Sequence, residues 1–525
     1  MNNTSPHSLF GRANSLILVL LFLAALSIRL YDLTDLPLDF HPTRQLFSAL
    51  KARGMYYQSL PNAPAEQREF AIQQGKIKST IEPEIVESLV AFTWKFSGKE
   101  LWVARVYSIF FWLIGGVFLY LLARDLFTQD GALFALAFYF FLPYAVIASR
   151  SFQPDPLMLA LILGFWWAVN RWATFLSPNS HPASPTPHPA SPTPHLAINT
   201  SLKFALLASL LGGLAIFVKL NAAFFVIGGA LGATLGRASI RDLLRNKQVW
   251  IMAVLGILPG AAYVAYGFSH GFLGQQFGGR FIPALLLSPA YPLGWANMIQ
   301  DVLGLVTFAL ALLGFALVEH KPTRALLFGL WGGYAAFGIF FDYHISTHNY
   351  YSLPLIPIAA LTLTPLAELT LARLAESASR SGLMRTLSVA ALSLCILASM
   401  WTSRGILKST DYRPEAAFWN QISATVKDYR VVALTQDYGS RLAYWGWTSA
   451  ANWPDSSDIE YHTDLRGGGQ TFEKTFARLT KNKELFLITD LADFANQPEL
   501  QTRLASFTIF AQGDGFIIYD LRQPQ

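Results

Sequence analysis

Apolar runs long enough to cross a bilayer recur along most of this chain, and they constrain its fold more than any other feature. A membrane-crossing helix needs about 20 mainly apolar residues. Counted on that basis the sequence predicts about eleven spans. They fall near residues 14–30, 102–122, 131–148, 156–172, 203–218, 221–235, 250–268, 299–317, 325–341, 351–367 and 386–402. Composition agrees: the chain is 53% hydrophobic and only 14% charged, against roughly 25% charged in ordinary soluble domains. This excludes a soluble enzyme. The net charge of +6 does not point to nucleic acid, because most of the excess lies in short loops between spans, where the positive-inside rule places it. Asn14–Leu30 is long for a signal-peptide core and lacks a small-residue cleavage pattern, so it reads as a retained span. The single cysteine, Cys395, sits in an apolar run. It supports neither a disulfide framework nor a cysteine metal site.

Arginine and lysine placement predicts the orientation. With the N-terminus in the cytoplasm, the loops on that side hold Arg12, Arg124, Arg171, Lys203, Arg237, Arg241, Arg245, Lys247, Lys321, Arg324, Arg373, Arg380 and Arg385. The opposite loops hold little more than Arg150, Lys219 and Arg280. An odd span count then puts the C-terminus outside, together with the long segment 31–100. The expected architecture is an all-α polytopic membrane domain over 1–404 and a small extracytoplasmic α/β domain over 405–525.

Three polar segments interrupt the spans. In 177–195, His181-Pro-Ala-Ser-Pro-Thr-Pro187 is repeated as His188-Pro-Ala-Ser-Pro-Thr-Pro194 and followed by His195. Proline at that density predicts a disordered cytoplasmic insert without chemistry. In 31–100, two amphipathic stretches, Thr43–Tyr57 and Glu82–Phe96, read as interfacial helices, with Leu46, Phe47, Leu50 and Met55 to one side of the first and Arg44, Lys51 and Arg53 elsewhere. In the tail, β-rich runs at 431–435, 485–489, 507–510 and 515–519 alternate with helical stretches near 413–427, 470–481 and 497–506. That alternation predicts a largely parallel sheet. Gly467-Gly-Gly469 is not placed between a strand and a helix, so it reads as a connector and not as a phosphate cradle.

The residues that can carry chemistry collect where spans emerge on the external side. Leu36-Pro-Leu-Asp-Phe-His-Pro-Thr-Arg-Gln45 puts Asp39, His41 and Arg44 within six residues. A carboxylate there can take a proton from an attacking hydroxyl, and an imidazole is also partly neutral near pH 7. A departing lipid phosphate needs positive charge, which Arg44, Lys219 or a loop lysine can supply. Glu82-Pro-Glu84 opens the second amphipathic stretch. Arg150-Ser-Phe-Gln-Pro-Asp-Pro156 holds Asp155 between two prolines at the head of a span. Ionisable groups at membrane depth are costly and usually functional. His344, His348, Tyr350 and Tyr351 sit at a later span junction, where an interfacial aromatic belt is the competing explanation.

Several patterns in this order resemble the polytopic GT-C glycosyltransferases, in particular protein O-mannosyltransferases and lipid A aminoarabinose transferases. They are Arg29-Leu-Tyr-Asp-Leu-Thr-Asp-Leu-Pro-Leu38; Glu82-Pro83 with Gly98, Trp102 and Arg105-Val-Tyr-Ser108; Gln153-Pro-Asp155; and His348-Asn-Tyr-Tyr-Ser-Leu-Pro-Leu-Ile-Pro357. The resemblance covers roughly residues 10–400. It implies transfer of a sugar from a polyprenyl-phosphate donor to a protein, lipid or glycan acceptor on the extracytoplasmic face, by inverting attack and without a metal. It also implies Glu82 and Asp155 as cavity-lining carboxylates that position or activate the acceptor, and Lys219, with Arg150, His348, Tyr350 and Tyr351, as substrate-binding groups. The family usually carries an Asp-Glu pair after an aromatic residue in the first loop. This chain has Phe40-His41-Pro42 there, with Asp39 on the other side of Phe40, so the base is either Asp39 or His41. A secondary transporter or a non-catalytic assembly or flippase-like protein would share the spans, but a transporter should show mid-membrane charges in broken helices. A bacterial inner-membrane location fits this set of expectations.

Overall fold

The computed structural model describes residues 8–79, 82–176, 194–273, 281–461, 463 and 468–524. Most of the histidine–proline repeat, Arg280 and Gly467 lie outside the described residues; Pro194 begins a helix. The chain divides into two compact units. The first comprises 1–33, 80–85 and 105–409, and the second 34–79, 86–104 and 410–525.

Unit 1 is helical. Every apolar run expected to span falls on a helix: α1 (Asn14–Leu30), α5 (Trp102–Leu126), α6 (Gln129–Phe141) with α7 (Pro143–Ala148), α8 (Asp155–Ala173), α9 (Pro194–Val218) and α10 (Ala222–Leu235) come first. Lys247–Ser269, Ala290–Val302 with Leu305–Ala316, Lys321–Phe340, Leu355–Arg380 and Gly382–Leu407 follow. Among the described residues, six helices are long and apolar enough to cross a membrane, or seven if the pair Ala290–Val302 and Leu305–Ala316 counts as one broken span. Two of the expected runs are interrupted for local reasons. Pro143 lacks the N–H that would continue α6 into α7. The pair 290–316 bends by 91° at Gly304, whose φ of +80° an L side chain rarely adopts.

Helices in unit 1 approach closely where small residues recur. On α10, Gly228 and Gly232 face helix Lys321–Phe340, as does Gly236 at its C-cap, and that helix offers Gly329 and Gly333. A Cβ on Gly232 would lie 2.7 Å from the carbonyls of Ala325 and Leu326, and one on Gly333 2.6 Å from that of Phe224. Two small-xxx-small patterns, 228/232 and 329/333, therefore let two backbones touch, the packing that membranes favour where burial of apolar surface gives no advantage over lipid.

Unit 2 has three helices from the first long polar segment, α2 (Pro42–Gln58), α3 (Ala65–Ile77) and α4 (Ile85–Ser97), and a five-stranded sheet from the tail. The strands are β1 (Val431–Leu434), β2 (Ala451–Asn452), β3 (Leu485–Ile488), β4 (Phe507–Gly513) and β5 (Phe516–Pro524), in the order β2-β1-β3-β5-β4. β1 pairs with β2 and β3 in parallel, whereas β5 runs antiparallel to both β3 and β4. The sheet is mixed, not largely parallel as the alternation of elements implied. The reason is the two-residue turn Asp514-Gly515, with Gly515 at φ +78°, which joins β4 and β5 as a hairpin. All four residues of β1 and of β3 are buried, as expected for central strands covered on both faces.

The long polar segment differs from its sequence reading in one respect. Lys51 and Arg53 are buried in unit 2. Arg53 is fully buried and donates to the carbonyls of Tyr444 (2.6 Å) and Ala443 (2.9 Å). Its guanidinium lies 4.2 Å from the Trp447 ring centroid and 4.9 Å from that of Tyr444. A planar, weakly hydrated cation stacks this way at little desolvation cost. These helices are thus part of a folded unit with the tail.

Candidate functional site

The turn between α7 and α8 sets the geometry. Pro154 and Pro156 restrict the backbone on either side of Asp155, which becomes the first residue of α8. Buried side chains from two other helices hold the preceding residues. Arg29 of α1 donates to Ser149 Oγ at 2.7 Å, to the Phe140 carbonyl at 2.9 Å and to the Ala25 carbonyl at 3.0 Å. Ser108 of α5 donates to the Ser151 carbonyl at 2.6 Å. Arg150, also buried, donates to the Asp32 carbonyl at 2.8 Å. Groups fixed in this way position a functional carboxylate before any ligand arrives.

Asp155 makes no capping hydrogen bond with its side chain. Instead it accepts from Lys219 Nζ through both carboxylate oxygens, at 2.9 and 3.0 Å. Lys219 occupies the short break between α9 and α10, where its backbone N–H still bonds to the Ala215 carbonyl. Glu82 stands 3.9 Å from the same ammonium. The Tyr350 and Tyr351 rings lie 5.4 and 5.5 Å from it, within cation–π range. Side-chain exposures are 8% for Lys219, 3% for Asp155 and 15% for Glu82. The cation is therefore enclosed by two carboxylates and two aromatic faces.

The tyrosines are themselves held. They belong to the tight turn Asn349–Ser352. Tyr351 stacks on Phe337 at 5.9 Å and 10°. Asn349 accepts from the Tyr144 hydroxyl at 2.7 Å, and the Ser352 hydroxyl pairs with that of Tyr334 at 2.8 Å. His348 is half-buried beside Tyr350 and Tyr351, at 5.9 and 6.1 Å between ring centroids, and its Nδ1 is 2.7 Å from Thr347 Oγ1. The structure thus gathers Glu82, Asp155, Lys219, Tyr350 and Tyr351 from four distant parts of the chain, with His348 at their edge. Arg150 is held in the turn below Asp155.

Asp39, His41 and Arg44 belong to unit 2. His41 caps α2 through its backbone with φ +46°, an unusual conformation for a non-glycine residue. Its ring meets Phe40 edge-on at 4.7 Å. The N-cap residue of α2 is therefore His41. Sequence reasoning missed the supporting groups Arg29, Ser108, Tyr144 and Asn349. Arg29 carried a visible signal, a charge inside an apolar run, and Ser108 and Asn349 lay in stretches that carry the family resemblance; Tyr144 carried none. Beside the site, the Asn221 side-chain oxygen and both polar atoms of the Gln153 amide are buried without a hydrogen-bond partner among the described residues. Among those residues no three His, Cys, Asp or Glu are grouped to hold a metal ion.

The sequence model of a family described as dolichyl-phosphate-mannose-protein mannosyltransferase matches residues 82–179, a segment that begins at Glu82 and includes Asp155. No curated protein matches the chain in sequence. Among solved structures, ArnT from Cupriavidus metallidurans in the apo state superposes with a TM-score of 0.58 at 13% identity, over 96% of this chain and 98% of that one. The same protein bound to undecaprenyl phosphate gives 0.58 at 12% identity, over 96% and 97%. The archaeal oligosaccharyltransferase AglB from Archaeoglobus fulgidus, in complex with an inhibitory peptide and a dolichol-phosphate, gives 0.53 at 10% identity, over 97% of this chain and 74% of that one.

Proposed function

We propose that this chain, an integral membrane protein with the GT-C fold that ArnT and AglB share, transfers a sugar from a polyprenyl-phosphate donor to an acceptor on the extracytoplasmic face. The observation that carries the reading is the enclosed Glu82–Asp155–Lys219 cluster under Tyr350 and Tyr351. The solved ArnT structure with undecaprenyl phosphate supports the donor class. The N-terminus is cytoplasmic and the C-terminus extracytoplasmic in this reading, as the lysine and arginine distribution requires.

The charges in the cluster refine the roles. Lys219 faces two carboxylates, Asp155 and Glu82, a setting that suits hydroxyl groups that donate to carboxylate oxygens. Glu82 and Asp155 therefore position the acceptor. Lys219 orients Asp155 through both carboxylate oxygens, and its remaining N–H can donate to a substrate oxygen. This moves Lys219 away from the phosphate role that the resemblance implied. Arg44 or a loop lysine remains the candidate for the phosphate, and Asp39 or His41 the candidate base for the acceptor proton. A phosphate leaving group departs as an anion, so neither a second acid nor a metal is required in this scheme.

The test uses membranes or nanodiscs with a radiolabelled polyprenyl-phosphate sugar. Asp155→Asn should lower transfer by about 10²–10³-fold, the usual effect of removing one preorganised electrostatic group. Lys219→Met should lower transfer similarly while polyprenyl-phosphate binding changes by less than about threefold. Loss of lipid binding in Lys219→Met would return that residue to the phosphate. Unchanged transfer in Asp155→Asn would remove the cluster from the reaction.

A further inference from the structure

A cavity in unit 2 stands apart from the cluster just described. It has a volume of about 300 Å³ and is lined by Glu415, Phe418, Gln436, Arg441, Thr489 and Asp514, among others. Gln436 follows β1 by two residues and Thr489 follows β3 directly. Because β1 and β3 are adjacent and parallel, both residues lie at one edge of the sheet, off the carboxyl ends of the strands. Ligands of open α/β sheets bind at that edge.

The lining is ordered and its charge is defined. The Gln436 amide donates to the Thr489 carbonyl at 3.0 Å and accepts from the Thr489 hydroxyl at 2.9 Å, so its orientation is set. Arg441 is neutralised twice, by Asp437 at 2.6 Å and by Glu415 at 3.1 Å. Asp514 adds an exposed carboxylate from the β4–β5 turn, and Phe418 adds a half-buried apolar ring. Beside Gln436, the Thr435 hydroxyl is 91% buried, being 9% exposed, and has no hydrogen-bond partner among the described residues. The surplus of carboxylate over free positive charge disfavours phosphates and nucleotides, and Asp437 and Glu415 already occupy the one guanidinium. Carboxylates, an amide and a hydroxyl beside two aromatic side chains, Phe418 and Trp419, instead match a neutral, hydroxyl-rich molecule.

We propose that this cavity binds a neutral saccharide of one or two rings, the sugar portion of the acceptor. The acceptor assignment rests on the transferase reading above, whereas saccharide binding does not. A volume of about 300 Å³ is at the small end for ligand pockets and sets the limit of one or two rings.

The test passes the full-length protein in nanodiscs over an array of neutral, aminated and phosphorylated saccharides, alongside Gln436→Leu and Asp514→Ala. Wild type should retain neutral saccharides, and both cavity variants should retain them at least tenfold more weakly. Asp514→Ala changes an exposed turn residue, so it keeps the result readable if Gln436→Leu unfolds. Retention of nothing, retention of phosphorylated saccharides alone, or retention unchanged in Asp514→Ala overturns the proposal. Saccharide retention without any sugar transfer by the wild type leaves the cavity standing and overturns only the transferase reading.

Discussion

Lys219 and Arg53 show how differently a buried cation can be stabilised. Lys219 rests on Asp155, and a buried carboxylate that loses its partner typically costs about 3–5 kcal/mol. Lys219→Met should therefore lower the unfolding temperature in detergent, and adding Asp155→Asn should recover part of the loss, because the double variant no longer buries a lone charge. Strictly additive losses would show that the two are not coupled. Arg53 instead uses two backbone carbonyls and the faces of Trp447 and Tyr444. Lysine cannot reproduce a planar fork that stacks and donates twice. Arg53→Lys should destabilise unit 2 by about 2–3 kcal/mol, on the scale of hydrogen bonds to charged groups, and change tryptophan emission as Trp447 loses its cover. A variant as stable as the parent would contradict the stacking role. The carboxylate, lysine and tyrosines of the candidate site were each legible as residue types out of place near membrane depth. Their meeting was not, because Asp155 and Lys219 are 64 residues apart.

At the scale of elements, every apolar run falls on a helix, while six or seven of the described helices are long and apolar enough to cross a membrane. Interruptions were harder to read. Pro143 within the third run was a visible signal for a break, but the 91° bend at Gly304 needed the backbone itself. The paired patterns Gly228/Gly232 and Gly329/Gly333 were present in the sequence as a known helix-packing signature, yet only the structure shows that they face one another. A leucine at 232 would meet two backbone carbonyls that cannot move aside as a side chain could. Gly232→Leu should thus cost about 1–3 kcal/mol or more, and thermal unfolding should show it, while Gly332→Leu, with open space at its Cβ, should be nearly neutral. Equal effects at 232 and 332 would remove close backbone contact as the cause.

On the scale of the whole molecule, unit 2 carries a charge distribution with a pH signature. Burial holds the Lys78 ammonium at about 8, with Asp437 partly opposing the shift, and burial together with Arg53 holds Lys99 at about 8. Both are lowered from an ordinary value of 10.5. Between those values the unfolded chain binds more protons than the folded one, so stability rises with pH. Below about 8 both states are protonated and the slope disappears. Unit 2 should accordingly gain unfolding temperature from pH 8 to about 9.5, before tyrosines begin to ionise. Lys78→Met with Lys99→Met should flatten that rise; an unchanged slope would show that these lysines are not its source.

Sequence alone determined the solvent in which each part of the chain folds: apolar run length dictates membrane helices, and strand–helix alternation dictates an α/β tail. These are local properties, set by which backbone groups can be satisfied within a short segment. It also supplied every member of the charged cluster as an individual residue. Tertiary structure decided the partnerships. It set Lys219 against Asp155, turned β5 antiparallel within the sheet, and joined α2–α4 to a tail whose contacts with Arg53 lie 391 residues away. The physical reason is common to all three. A buried charge or an unpaired strand edge must find a partner somewhere, and the fold, not sequence proximity, selects which one is within reach.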